Sequence, residues 1–294
     1  MTTSGDNMVG ALRQIVGIDG SPGSTAALDW ALARVALLGP VEPVAAWHYP
    51  WWALVPTATG TLVPPGDSEF QAITERVVAN MLERVDNEDV LDPQIIHAAA
   101  GTALVTAADR GTLLVVGTRG RGAVAGSVLG SVSLHCVNHA RVPVAIVPAD
   151  IAAEDRFQRV IVGIDGSDNA DRAVQWAIDN TPSTSRIELI NTWDPGAAAV
   201  AEVAVLAMER SEDFSTALVA EAIEAVRTRA GETGHKITGL SRQGDARRVL
   251  RAEAEQADML VVGARGHQGV AHLLLGSVAT ALVHQPTAAT IVVH

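Results

Sequence analysis

Leu113-Leu114-Val115-Val116-Gly117-Thr118-Arg119-Gly120, followed after nine residues by Gly130-Ser131, decides how this chain folds. The arrangement returns 146 positions later as Met259-Leu260-Val261-Val262-Gly263-Ala264-Arg265-Gly266 with Gly276-Ser277. The same offset carries Gly17-Ile18-Asp19-Gly20-Ser21 onto Gly163-Ile164-Asp165-Gly166-Ser167, Trp30 onto Trp176, and Trp47 onto Trp193. One short glycine pattern is a weak signal. Two copies in register with a second shared motif mark a duplicated domain. A length of 294 residues suits two domains, placed at 1–150 and 157–294 with a linker over Ala149–Arg156, where strand signal lapses into small and charged residues. Each unit is long enough to bury about two-thirds of its unfolded surface.

Within each copy short apolar runs alternate with longer amphipathic segments, the pattern of a parallel sheet covered by helices. The predicted strands are Gln14–Asp19, Val41–Trp47, Gln94–His97, Leu113–Gly117 and Val144–Val147. In the second copy they are Val160–Asp165, Arg186–Trp193, Lys236–Ser241, Met259–Gly263 and Thr290–Val293. Runs such as Leu114-Val115-Val116 lack polar alternation, as strands buried on both faces do. Ser21 or Ser24 is placed to cap a first helix with Ala27, Trp30, Ala31 and Leu38 on its apolar face. Asp67 and Ser68 precede a second helix, with Phe70, Ile73, Val77, Met81 and Val85 at spacings of three and four. The last helix of each copy is expected near Ser131 and Ser277.

The copies differ most between second strand and second helix. The first has a tryptophan-rich stretch, Trp47 to Trp52, followed by prolines; it reads as a lid over a planar ligand, a partner surface, or a loop packed on the core. The second has an alanine-rich run, Ala197–Ala207, that reads as helix. Gly101–Gly117 is three residues shorter than Gly244–Gly263, predicting a shorter third helix in the first copy. Ala289 stands where the first copy has Pro143, predicting a different start to the last strand.

The bulk composition narrows the function. No apolar run approaches the ~20 residues of a membrane helix, and Met1–Arg13 does not read as a signal peptide. A single cysteine, Cys136, allows no intrachain disulfide and no cysteine-built metal site, so a soluble cytoplasmic protein without a membrane partner is expected. A net charge of −12 argues against nucleic acid as a partner. Lys236 is the only lysine, and it lies in neither glycine motif, so no Walker-type loop exists. An anion here must be held by backbone amides, hydroxyls and the arginines Arg119, Arg121 and Arg265.

In open parallel sheets ligands bind beyond the carboxyl ends of strands, where strand order reverses. Asp19 and Asp165 end the first strands; Gly117 and Gly263 end the fourth. If these strands are neighbours, their ends flank one crevice. Gly130-Ser131 and Gly276-Ser277 then sit at helix starts, whose unpaired amides and partial positive charge suit phosphate. The serine hydroxyls are placed to donate to it or to cap the helix. Asp19 and Asp165 can accept from a ribose hydroxyl or base amine, help place a metal ion, or cap the turn through Gly20-Ser21 and Gly166-Ser167. Arg119 and Arg265 can reach anions or point to solvent. His135 and His139 are four apart on one helix, but Ala281 and Gln285 replace them in the second copy, which favours packing over metal binding. Cys136 reads as a buried small residue. No metal site is expected from the protein side chains.

These residues resemble the universal stress protein family over nearly the whole chain, as a tandem pair. The likeness is carried by the Ile-Val-Gly-Ile-Asp-Gly-Ser segments (ending at Ser21 and Ser167), by Val-Val-Gly-Thr-Arg-Gly and Val-Val-Gly-Ala-Arg-Gly, by Leu-Gly-Ser-Val in both copies, and by Val142 to Val147. The resemblance implies two Rossmann-like α/β domains, each a five-stranded parallel sheet in order 3-2-1-4-5 flanked by helices, with the last strand paired to that of another domain. It implies ATP, with Mg2+, as ligand. It also implies binding residues Asp19, Gly20, Ser21, Ala46, Gly117, Arg119, Gly120, Gly130, Ser131 and Val132, and in the second copy Asp165, Gly166, Ser167, Thr192, Gly263, Arg265, Gly266, Gly276, Ser277 and Val278. Ala46 and Thr192 stand at the backbone position facing adenine. Pairing Val144–Val147 with Thr290–Val293 inside the chain would cover two apolar edge strands, and a homodimer of the whole chain is expected. The leading expectation is an ATP-binding regulator of a stress response, with at most slow hydrolysis. The alternatives are an ATP-using enzyme, such as an adenylyl-transfer catalyst, and a scaffold that no longer binds.

Overall fold

In the first copy β1 (Gln14–Gly17), α1 (Pro22–Leu32), α2 (Val35–Leu38), β2 (Val41–Trp47), β3 (Val55–Pro56), β4 (Leu62–Val63), α3 (Asp67–Leu82), β5 (Gln94–His97), α4 (Ala100–Ala108), β6 (Leu113–Gly117), α5 (Ser131–His139) and β7 (Val144–Val147) follow in turn. The second copy supplies β8 (Arg159–Gly163), α6 (Asp168–Asp179), β9 (Arg186–Trp193), α7 (Ala201–Ala230), β10 (Lys236–Gln243), α8 (Ala246–Ala254), β11 (Met259–Gly263), α9 (Ser277–His284) and β12 (Ala289–Val293). This computed structural model describes residues 13–48, 55–56, 62–63, 67–85, 88–109, 113–120, 129–151, 157–194, 201–230, 234–266 and 275–294. Residues 49–52 of the tryptophan-rich stretch, Arg121, 152–156 of the predicted linker and 197–200 of the alanine-rich run lie outside the described residues.

Ten strands form one sheet in the order β10-β9-β8-β11-β12-β7-β6-β1-β2-β5. Each half therefore has the expected order 3-2-1-4-5, all parallel. The halves meet where β7 pairs antiparallel with β12, Ile146 opposite Thr290 and Val144 opposite Val292. Both strands are wholly buried. The continuous Val-Ala-Ile-Val pattern is the consequence: these strands lie at the centre of the sheet with helices on both faces.

One face packs α1, α3, α6 and α7 over Val16, Val115, Ala145, Val162, Val261 and Ile291. The other packs α4, α5, α8 and α9 over Ile15, Leu114, Ile146, Ile161, Leu260 and Val292. Each layer runs across the β7–β12 seam, so the two copies share their core. Arg34 reinforces the junction: its guanidinium is buried between the rings of Trp30, 4.3 Å away, and Phe157, 4.8 Å away, and donates to the Trp30 carbonyl. A buried arginine is tolerable when aromatic faces and a carbonyl replace water.

An ion pair between a half-buried arginine and a buried glutamate recurs in both copies at the first residues of the sheet. Arg13 donates to Glu42 at 2.8 Å, and Arg159, 146 positions on, binds Glu188 at 2.8 Å and Glu253 at 2.7 Å. Hydrogen bonding by Glu188 raises the Arg159 pKa above the ordinary arginine value. These pairs lie at the amino ends of the strands, away from the crevice.

Several expectations are corrected. The third helices are equal, α4 and α8 each having nine residues. Gly101 lies inside α4, and by the constant offset its counterpart is Arg247, not Gly244; it is glycine because an added Cβ would strike the His135 ring at 2.7 Å. The first helix stops at Leu32, so Leu38 lies in the separate α2. In α3 Val78 is buried while Ile73 is 47 % exposed. The first strands end at Gly17 and Gly163, which leaves Asp19 and Asp165 in the following turns. Ala289 has the predicted effect: β12 begins one residue earlier than β7, as alanine keeps the amide that Pro143 lacks. Where the first copy has the β3–β4 hairpin the second has the start of the 30-residue α7.

Candidate functional site

β1 pairs with β6, and β8 with β11, so the two repeated motifs converge at the carboxyl ends of adjacent strands in each copy. From these pairs the strand order runs outward in opposite directions, making each a topological switch point.

The motifs are interlocked by specific contacts. Gly20 and Gly166 turn the chain at φ 78° and 80°, a left-handed conformation that glycine adopts without cost. The turn returns the Ser21 amide to Asp19 Oδ1 at 2.9 Å and the Ser167 amide to Asp165 Oδ1 at 3.1 Å. Ser21 then caps α1 by accepting from the Ser24 amide, and its hydroxyl donates to the Arg119 carbonyl at 3.2 Å. Ser167 likewise caps α6 and donates to the Arg265 carbonyl at 3.4 Å. Of the two capping candidates in the first copy, Ser21 is therefore the cap.

The glycines fall into distinct groups. A Cβ on Gly117 would lie inside contact distance of the Gly23 backbone, and one on Gly263 would sit 2.7 Å from Asn169 Cβ. These two are needed for close packing of strand end on helix start. A Cβ on Gly120 would lie 2.5 Å from Asp19 Oδ2, and Gly266 meets Asp165 Oδ2 in the same manner. Gly130 and Gly276 differ from both groups. Their nearest contacts would be the Thr118 carbonyl at 3.3 Å and the Ala264 carbonyl at 3.5 Å, and their φ of −74° suits any residue. Neither packing nor backbone conformation demands glycine there; a side chain would instead occupy the space in front of a helix start.

That space is lined by donors. Gly130 and Gly276 are the N-caps of α5 and α9, with amides that donate back to Thr118 and Ala264 at 2.7 and 2.8 Å. The first carbonyl-bonded amides of the helices are those of Leu134 and Thr280. The amides of Ser131, Val132 and Ser133, and of Ser277, Val278 and Ala279, thus lack intrahelical acceptors. Ser131 and Ser277 do not cap: they are the first helical residues and exposed, because the cap position is glycine with no side chain to offer. Val132 and Val278 are half-buried against the core, so they can contribute amides only. Arg119 and Arg265 are exposed beside the turn. Ala46 and Thr192 lie at the carboxyl ends of β2 and β9, paired with Ile96 and Arg242, on the side of the crevice away from the glycine turns.

Residues outside the crevice behave as packing groups. The Cys136 thiol is buried and its pKa is pushed up to about 12 by burial, so it is no nucleophile. The His135 and His139 rings stack 4.2 Å apart, and burial, with His139 second, lowers the His135 pKa. Among the described residues no group of three metal-ligating side chains gathers, and no helix is long and apolar enough to cross a membrane. Two hydroxyls of the first copy take roles that the sequence does not assign: Ser133 is not among the predicted site residues, and Ser24 is considered there only as a cap. Ser133 donates to the Gly117 carbonyl at 2.6 Å, and Ser24 accepts from the Asp19 amide at 3.3 Å. Their positions two or three residues beyond the motifs were the available signal.

A glycine-lined crevice at the switch point of a 3-2-1-4-5 parallel sheet, built twice and joined through the fifth strands, defines a tandem doubly wound α/β protein. The family model described as "Universal stress protein family" matches residues 13–148 and again 156–294. The chain belongs to the universal stress protein family. It is 29% identical to a universal stress protein of Mycolicibacterium smegmatis, covering 95% of this chain and 96% of the relative. It is 30% identical to one of Mycobacterium tuberculosis over 95% of this chain and 93% of the relative. The crystal structure of a universal stress protein from Archaeoglobus fulgidus superimposes with a TM-score of 0.65 at 19% identity, covering 96% of this chain and 95% of that one.

Proposed function

We propose that each copy binds ATP, with Mg2+, in its crevice, and that the protein is a cytoplasmic, nucleotide-dependent regulator in a stress response. The observation that carries this reading is the pair Gly130 and Gly276. The protein has room for a Cβ at both, after a shift of a few tenths of an ångström at Gly130, yet both are glycine in front of helix amides that lack intrahelical acceptors. A bound phosphate chain accounts for that room, since an anion is favoured where amides and the positive helix end converge. The amides of Ser131, Val132, Ser277 and Val278, the hydroxyls of Ser131 and Ser277, and the Gly117–Gly120 and Gly263–Gly266 turns with Arg119 and Arg265 would hold the phosphates. The turn carboxylates Asp19 and Asp165 would face the ribose or the metal ion, and the backbone at Ala46 and Thr192 the base. When bound, the nucleotide supplies a hydrolysable phosphate chain; the residues of this chain bind and orient it. Neither buried Cys136 nor the packed His135 serves as a base there, and turnover is at most slow. Because β7 and β12 already pair within the chain, a homodimer would use another surface, which sedimentation velocity can test.

The direct experiment is to heat-denature freshly purified protein and quantify released nucleotide per chain by chromatography. Close to two ATP per chain is expected. No released nucleotide, together with no uptake of added Mg-ATP by calorimetry, would refute binding and leave a scaffold.

A further inference from the structure

We infer that the two crevices are unequal, and that the first copy holds the tighter anion site; this rests on the nucleotide-binding reading above. The backbone frame is the same in both copies, as the matching cap dihedrals and glycine contacts show. What differs is what holds the frame and what charge surrounds it.

Two hydroxyls brace the first site. Ser133 ties the start of α5 to the Gly117 carbonyl at 2.6 Å. Ser24 accepts from the Asp19 amide and donates to the Ser21 carbonyl at 3.0 Å, joining the aspartate turn to α1. At the constant offset both positions are alanine in the second copy, Ala279 and Ala170, so neither bond can form. The carboxylate turn is correspondingly more open there: Asp165 is exposed where Asp19 is half-buried. A site whose donors are already fixed loses less freedom on binding and binds more tightly.

Charge acts in the same direction. The first turn of α1 contains no acidic residue, being Pro22-Gly23-Ser24-Thr25. The first turn of α6 carries Asp168 and Asp171, both exposed. Each of these helix starts packs on the glycine turn of its own site, Gly23 against Gly117 and Asn169 against Gly263. Asp168 and Asp171 therefore neutralise the positive helix end beside the second anion site and repel a polyphosphate. Arg172, in the same helix, donates to Asn169 Oδ1 and to the His294 carbonyl. Asp29, the acidic residue of α1, lies beyond the helix's first turn and is paired with Arg84 at 2.7 Å.

The test is calorimetric titration of the full chain with Mg-ATP at low salt. Unsubstituted protein should give two classes of site, their dissociation constants about tenfold apart, the size expected of two first-turn carboxylates. Gly276→Val, which blocks the second site, should leave the tighter class; Gly130→Val should leave the weaker. In the Gly130→Val background, Asp168→Asn with Asp171→Asn should tighten binding several-fold. In the Gly276→Val background, Ser133→Ala should weaken it while circular dichroism stays unchanged. Two identical sites in the unsubstituted chain, or a weaker first site, would overturn the inference and leave nucleotide binding intact. No binding at either site would overturn the binding reading and this inference with it.

Discussion

Substituting alanine at Gly117 and at Gly130 should separate the glycines that build the fold from those that receive a ligand. At Gly117 the new methyl would collide with the carbonyl carbon and oxygen of Gly23. Both are main-chain atoms at the start of α1, so no rotamer change relieves the contact; the helix start or the end of β6 must move. Overpacking of this kind costs about 3 kcal/mol, and a chain with a shared core of this size loses about 2–4 °C in Tm per kcal/mol, giving a fall of about 6–12 °C. At Gly130 the methyl would meet the Thr118 carbonyl at 3.3 Å and Arg119 Cα at 3.6 Å, distances that a shift of a few tenths of an ångström accommodates. The remaining cost is that of alanine at an N-cap, about 1 kcal/mol or less. Gly130→Ala should therefore melt within about 4 °C of the unsubstituted protein and bind less nucleotide. Differential scanning calorimetry of ligand-free protein reads the first quantity, and titration with Mg-ATP the second. If Gly117→Ala melts with the parent, or Gly130→Ala is the less stable of the two, the assignment of packing and ligand roles is refuted.

Other outcomes follow from single contacts. Glu188→Ala should destabilise by about 3 kcal/mol in urea unfolding, because it strips one partner from the Arg159 and Arg186 guanidiniums over a nearly inaccessible carboxylate site; a change below 1 kcal/mol would mean Glu253 alone satisfies Arg159. Asp245→Ala should cost about 1 kcal/mol through loss of the cap on α8, whose side chain accepts from the Arg247 and Arg248 amides. The Arg247 side chain, with the backbone amides, lowers the Asp245 pKa from 3.8 to about 2. Its contribution is thus complete above pH ~4 and lost as pH falls towards 2, so the parent and Asp245→Ala stabilities should converge in acid titration. Mg-ATP at 100 times its dissociation constant should stabilise the chain by about 2.7 kcal/mol for each site filled; nucleotide-free protein with no thermal shift would contradict binding. Cys136 should resist thiol reagents at pH 8 until the protein unfolds, being buried with its pKa near 12; rapid labelling of native protein would contradict the packing of α5.

The repeat made much of this molecule legible in sequence. A fixed offset of 146 residues located both copies, and unbroken apolar runs located the strands because buried parallel strands have no polar face to alternate with. Six of the ten predicted sheet strands have their observed ends, and the other four shift by one or two residues. The shift at β1 and β8 arises because Asp19 and Asp165 bind backbone amides within the turn, which periodicity does not register. Pairing Gly101 with Gly244 predicts unequal third helices, but the two glycines are not equivalent and the helices are equal. One glycine is there for a histidine ring and the other for a φ of 134°, so identity of residue type was no guide to equivalence.

Sequence alone determined the duplication, the strand order implied by the family resemblance, and which glycines, serines and aspartates belong together, since those follow from pattern and spacing along the chain. Tertiary structure decided which glycine does what. Gly117 and Gly130 are identical as letters, and only the backbone clash with Gly23 that a Cβ would meet at one, against a 3.3 Å approach to the Thr118 carbonyl at the other, distinguishes them. It also decided the seam, where Arg34 lies between Trp30 and Phe157 and β7 pairs with β12. The Arg34–Phe157 and β7–β12 contacts join residues more than a hundred positions apart, and their energy depends on distance and burial that no local pattern encodes.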